Sequence, residues 1–103
     1  MMTVLTHRDF EPYLGVPFRI AGWPHMLRLA AVDVRHGQSR PDNSGPPFTL
    51  IFHGPRGALL PEGSHSATPE QSSGAAPTAA MVFHIMPIHT TAADRQEYQA
   101  IFN

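Results

Sequence analysis

Apolar and polar residues alternate in short runs along this chain, and residues typical of turns separate the runs. Alternation with a period of two residues indicates an extended strand with one buried face. The runs recur without intervening helical patterns, which favours an antiparallel sandwich or barrel over a parallel sheet. We expect a mainly β single domain over 1–103, a small antiparallel β-barrel or strongly curled sheet of about six strands. The predicted strands cover 16–20, 25–36, 48–53, 64–68, 81–86 and 97–102.

The segment before the first predicted strand predicts short helical turns. Thr6 is a suitable N-cap and Asp9 follows three residues later, an arrangement related to a capping box. Pro12 interrupts a continuous helix because proline has no N–H. We therefore expect two short turns, ending near Gly15. The larger apolar side chains of this segment, Phe10, Tyr13 and Leu14, are expected to plug one end of the sheet or barrel.

The longest predicted strand contains a conflict of phase. Leu27 and Leu29 share one face, whereas Val32 and Val34 share the opposite one. Both pairs can face the core only if one extra residue is inserted between them. We predict a β-bulge or sharp bend at Ala30–Ala31, which would also help the sheet to curl.

Composition limits the classes of function. The 103 residues include 11 prolines, 8 glycines and no cysteine, and the formal net charge is −1. Thiolate chemistry is excluded, and no basic surface for nucleic acid is indicated. No apolar run reaches the roughly 18 residues of a membrane span, so we expect no membrane partner and a cytoplasmic location. Two breaker-rich segments, 37–47 and 69–80, predict mobile loops.

Several segments together carry a family resemblance, at Leu5, Thr6, Asp9 to Pro12, Leu14, Gly15, Phe18, Arg19, Phe48 to Phe52, Gly54, Pro55, Leu60 to Gly63, Phe83, Pro87 and Tyr98 to Asn103. In this order they resemble DUF6916, a domain of unknown function in uncharacterised bacterial proteins. The resemblance implies no catalytic residues. Such genes are often found near those of phage-tail-collar-like proteins, so the resemblance implies an assembly or accessory role. The chain departs from the family pattern at 64–67, where a more hydrophobic strand is expected.

No group of residues has the spacing of a catalytic motif. Ser64, His65 and Ser66 are consecutive, but neighbours on a strand point to opposite faces. We therefore expect no catalytic residue, no cofactor and no enzymatic activity. The seven histidines leave one alternative, a small-ligand or metal-binding barrel with a soft His/Met site. Its weak candidate ligands are His53, His84, Met86 and His89.

The strand faces opposite the predicted core are partly apolar. A sheet with two apolar faces requires a covering element or a partner subunit. We expect a non-enzymatic protein-binding or assembly protein whose partner is another protein or a second copy of itself. If the histidines on this face titrate in their ordinary range, association would weaken near pH 6.5. The interface candidates are Ile51, His53, Val82, His84 and Met86.

Overall fold

The computed structural model describes residues 5–41, 43–70 and 79–103, and its strands form a closed antiparallel barrel. Around the barrel the strands follow the order β1-β2-β3-β6-β5-β4. This confirms the predicted mainly β barrel. Two 3₁₀ turns, His7–Asp9 and Glu11–Tyr13, precede the barrel, as predicted. The strands are β1 Pro17–Ile20, β2 Met26–Val34, β3 Phe48–Gly54, β4 Gly63–Pro69, β5 Met81–Pro87 and β6 Gln96–Phe102.

The predicted bulge in β2 is confirmed. Leu29 pairs with Phe52 of β3, and the next paired residue is Ala31, which lies opposite Ile51. Ala30 is the additional residue. Leu27 and Leu29 are buried before the bulge, and the two valines after it are half-buried against the same core.

Aromatic and aliphatic side chains fill the interior of the barrel. Alternate residues of β3 point inward, which confirms the period-two interpretation of this strand. Rings from different strands contact one another, as between Phe18 and Phe52, whose ring centroids are 5.4 Å apart. The largest fully buried side chains are Tyr98, Phe10, Phe18, Phe48, Phe52, Ile20, Leu27, Leu29, Leu50, Leu60 and Ile85, together with Pro69.

Phe10 closes one end of the barrel, as predicted. Its ring centroid lies 5.4 Å from that of Phe83 and 5.6 Å from that of Phe102. The expectation that Leu14 is part of this plug is wrong, because its side chain is 55% exposed. The second 3₁₀ turn ends at Tyr13, and the Gly15 N–H then donates to the Leu29 carbonyl of β2. The chain therefore enters the sheet with Leu14 outside the core.

The strand that departs from the family pattern still pairs on both sides. β4 pairs with β1 and with β5, and Ala67 and Pro69 provide its buried side chains. Small residues suffice here because the large rings of other strands already occupy the interior.

The first predicted loop contains a buried cation. Arg40 is only 5% exposed, and its guanidinium donates to the Leu5 carbonyl over 2.8 Å. The guanidinium carbon also lies 5.5 Å from the centre of the Phe48 ring. Most of the second predicted loop lies outside the described residues, so its mobility stays a prediction. In the described ranges, no helix is long and apolar enough to cross a membrane.

Candidate functional site

The outer surface of β3, β6 and β5 carries four apolar side chains interspersed with Gln99 and His84, and we call these four residues the outer wall. One row of it is fixed by strand pairing, since Ile51 and Met86 both lie opposite Gln99. The Gln99 side-chain amide donates to the Met86 sulfur over 3.2 Å. Two further residues complete the outer wall. The outer wall consists of Ile51, Val82, Met86 and Ile101.

The second half of the outer wall is strongly exposed. The pairing of Met86 with Gln99, continued along both strands, places His84 beside Ile101. Val82 lies two residues further along β5, on the same outer face. The contact between Phe83 and Phe102, whose centroids are 5.8 Å apart, supports this register on the inner face. Val82 is 65% exposed and Ile101 is 49% exposed. The described part of the chain therefore leaves this apolar surface open.

Each of the two predicted interface histidines lies near a carboxylate. His84 lies within the outer wall, between Val82 and Met86 on β5, and His53 lies at its border on β3. His84 Nε2 is 3.1 Å from Glu62 Oε2 on one side. His53 Nε2 is 3.7 Å from Glu97 Oε2 on the other. Glu62 precedes β4, and Glu97 lies at the start of β6. Strand pairing brings each carboxylate close to its histidine.

The four candidate metal ligands are spread over the surface. His53 lies on β3 and His84 on β5, with β6 between them. Two strand spacings of about 4.8 Å separate such positions, which is too far for ligands that converge at about 2 Å. Met86 contacts Gln99, and His89 is exposed beyond β5. Among the described residues, no group of three or more histidine, aspartate or glutamate side chains is arranged to hold a metal ion.

A charged groove lies beside the outer wall, where β2, β3 and the start of β6 meet. It is an open cavity of about 600 Å³. Arg95 is its central cation and donates from Nε to Glu97 Oε2 over 3.0 Å. Asp94 Oδ1 lies 3.4 Å from Arg95 Nη1. The lining residues are Pro17, Met26, Arg28, His53, Gly54, Pro55, Asp94 and Arg95.

The charged groove disfavours protonation of His53. Burial of the ring is the largest influence and lowers the pKa of His53 from its ordinary 6.5, and Arg95 and Arg28 act in the same direction. Glu97 raises this pKa but does not outweigh the other influences. The imidazole is therefore neutral at pH 7, and the groove holds two arginines around it.

Sequence reasoning missed Arg95 and Glu97 as members of a charged cluster. Residues 90–95 have the pattern of a simple connection, and β6 has the pattern of an ordinary closing strand. The spacing of Arg95 and Glu97, two residues apart at a strand start, is the only available signal. Their meeting with Arg28 and His53 depends on the strand order, which the spacing does not contain.

These features define a small closed antiparallel barrel with a filled interior, whose candidate sites all lie on its outside. The sequence model of the family described as "Domain of unknown function (DUF6916)" matches residues 5–102. The chain therefore belongs to the DUF6916 family, as the resemblance indicated. No curated protein and no solved structure matches the chain.

Proposed function

We propose that this protein is a non-enzymatic binding or assembly protein that associates with a second copy of itself through the outer wall. The observation that carries the proposal is the exposure of Val82 and Ile101 on an otherwise regular sheet face. Several apolar side chains grouped on one exposed face and rimmed by polar residues are typical of a protein interface. A role beside phage-tail-like structures belongs to the proposal and rests only on the family resemblance. A cytoplasmic location likewise stays a prediction.

The filled interior favours this proposal over a small-ligand barrel. Ligand-binding barrels keep a cavity inside the sheet, whereas large rings occupy the interior here. The described cavities are open surface grooves, and a drug-sized ligand needs a cleft that buries most of its surface. The candidate metal ligands also lie apart from one another, which removes the main support for the metal-binding alternative.

The outer wall can be tested by measuring the oligomeric state. We expect wild-type protein to dimerise, and the double variant Val82→Ser/Ile101→Ser to dissociate at least about tenfold more readily, because each substitution removes buried apolar area. Sedimentation velocity over a concentration series gives the dissociation constants. Leu59→Ser is a matched control, since Leu59 is 61% exposed but lies outside the outer wall.

The same experiment at two pH values tests His53. Protonation of His53, whose pKa is lowered mainly by burial, places a positive charge at the border of the interface, so we expect weaker association at pH 5.5 than at pH 8. An unchanged molar mass between these pH values would remove His53 from the proposal. Wild-type protein that stays monomeric at pH 8 up to several hundred micromolar would overturn self-association itself.

A further inference from the structure

In the described ranges, one side of β2 has no strand partner over its second half. β2 has nine residues and β1 has four, and β1 pairs only with Met26 to Arg28. The chain before β1 extends this contact by one step, because Gly15 N–H donates to the Leu29 carbonyl and Leu29 N–H donates to the Val16 carbonyl. Beyond Leu29, no described strand continues on this side. We call the segment 30–34, on the side away from β3, the β2 edge.

The hydrogen-bonding groups of the β2 edge belong to Val32 and Val34. Arg35 N–H donates to the Pro47 carbonyl over 2.9 Å, so Arg35 directs its backbone groups toward β3. Because backbone groups alternate along an antiparallel strand, Asp33 and Ala31 also face β3, and Val32 and Val34 face away. No backbone or side-chain partner for the amides of Val32 and Val34 is present in the described ranges. Two regularly spaced donor–acceptor pairs are therefore available to an added strand.

An apolar groove accompanies these free backbone groups. A cavity of about 390 Å³ lies between the second 3₁₀ turn and the β2 edge. Leu14, displaced from the predicted plug, is exposed at its rim. Glu11, Ala30, Ala31 and Val32 line the cavity together with Leu14. An extended chain paired to the β2 edge therefore finds space for an apolar side chain next to Leu14.

Charge at the β2 edge disfavours a second copy of the chain as the occupant. Asp33 is exposed between the two valines and has no ion pair in the described structure. Only one antiparallel register of two β2 edges uses both free residues of each chain. It has Val32 of each chain opposite Val34 of the other, and it places Asp33 opposite its own copy. The register that places Asp33 opposite Arg35 brings Val32 opposite His36, which lies in the turn after β2. Directly opposed like charges destabilise a strand pair, and charges on edge strands commonly prevent such self-pairing. A basic residue is the favourable neighbour at this position.

We propose that the β2 edge binds an extended segment of another protein by strand addition, with an apolar side chain beside Leu14 and a basic residue opposite Asp33. Backbone hydrogen bonds to Val32 and Val34 supply the affinity, and the groove and the carboxylate select the side chains. This surface is separate from the outer wall, so the two proposals fail independently.

The probe is an acetylated and amidated peptide of sequence Thr-Val-Lys-Val-Thr, titrated into wild-type protein and followed by amide NMR and hydrogen exchange. In free protein we expect the Val32 and Val34 amides to exchange quickly, and the Ala31 and Asp33 amides slowly. Saturation with the peptide should slow exchange at Val32 and Val34 at least tenfold. A peptide with glutamate in place of lysine should bind about fivefold more weakly, the effect of one cross-strand charge pair.

Two variants separate strand addition from other binding. Asp33→Lys should reverse the preference between the lysine and glutamate peptides, whereas the control Asp94→Lys, on a side chain that is 80% exposed, should not. N-methylation of the two valine amides of the peptide should abolish binding. The proposal is overturned if the N-methylated peptide binds equally well, or if several millimolar peptide shifts no resonance. It is equally overturned if Val32 and Val34 are already protected in the free protein.

Discussion

At the scale of single residues, Tyr98 connects the interior to the chain that leads to β4. It is fully buried, and its hydroxyl accepts a hydrogen bond from the buried Leu60 N–H over 3.0 Å. The same hydroxyl lies 3.5 Å from the Ala58 carbonyl, to which it can donate. The tyrosine thus supplies both apolar volume and the hydrogen bonds that this irregular segment lacks.

Tyr98→Phe should destabilise the protein by about 1–3 kcal/mol, because the buried Leu60 N–H loses its acceptor while the ring volume is kept. Urea unfolding gives the change in the free energy of unfolding, and hydrogen exchange at Leu60 locates it. Equal stability of the variant and wild type would show that the hydroxyl is dispensable.

His53 should make stability depend on pH in a defined direction. Its pKa in the folded protein lies below the ordinary value of 6.5, so the unfolded chain binds protons more readily than the folded chain. Stability is therefore complete above about pH 6.5 and falls as the pH decreases toward the lowered pKa. Urea unfolding at pH 5.5 and 7.5 measures this loss.

His53→Gln is the variant that isolates this effect. It keeps a polar side chain of similar length but has no titrating group, so the loss of stability between pH 7.5 and pH 5.5 should be smaller than in wild type. His25→Gln is the control, because His25 is exposed on the turn before β2. A pH response of His53→Gln identical to that of wild type would contradict the assignment.

Residue patterns predicted local contacts better than distant ones. Thr6 N–H donates to the Asp9 carboxylate over 2.7 Å, as a capping box requires, and the two residues are three apart in sequence. Arg40 gave no such signal, because its partners Leu5 and Phe48 are brought to it by the folding of other segments. A single arginine in a polar loop has the pattern of a solvated residue.

At the scale of elements, the bulge in β2 determines which residues after it are buried. The extra residue, Ala30, allows Leu29 and Val32 both to point into the barrel. The bulge also lies where the pairing of β2 with β1 and the chain before β1 ends, at Leu29. The bulge therefore both completes the core and begins the β2 edge.

Deleting Ala30 should destabilise the barrel by about 2 kcal/mol or more. Without the extra residue, the inward valines of β2 move to the outer face and the charged Asp33 turns toward the core. Thermal and urea unfolding measure the loss. Ala30→Ser, which keeps the residue count, should change stability by less than about 0.5 kcal/mol.

Deleting the exposed Ser39 provides a second control, because loops tolerate changes in length better than strands do. If deleting Ala30 has no larger effect than deleting Ser39, the bulge does not set the phase of β2.

The sequence predicted this element well because the conflict between its two valines and two leucines is local. The exposure of Leu14 was not predicted, because its direction depends on the pairing of Gly15 with β2.

At the scale of the whole molecule, the alternation of side chains predicted a rolled antiparallel sheet but not its strand order. β3 pairs with β2 on one side and, along its full length, with the distant β6 on the other. Alternation shows that each strand has an inner and an outer face and gives no information about its neighbours. The charged groove and the outer wall both depend on this order, so only their separate residues, and not their arrangement, were predictable.

Large side chains occupy the barrel interior, whereas the two proposed recognition surfaces, the outer wall and the β2 edge, lie on its outside. Substitutions at exposed positions such as Val82 or Asp33 leave the ring packing intact, and such changes usually alter stability by less than about 0.5 kcal/mol. For the same reason, the barrel is a suitable scaffold on which to engineer new recognition.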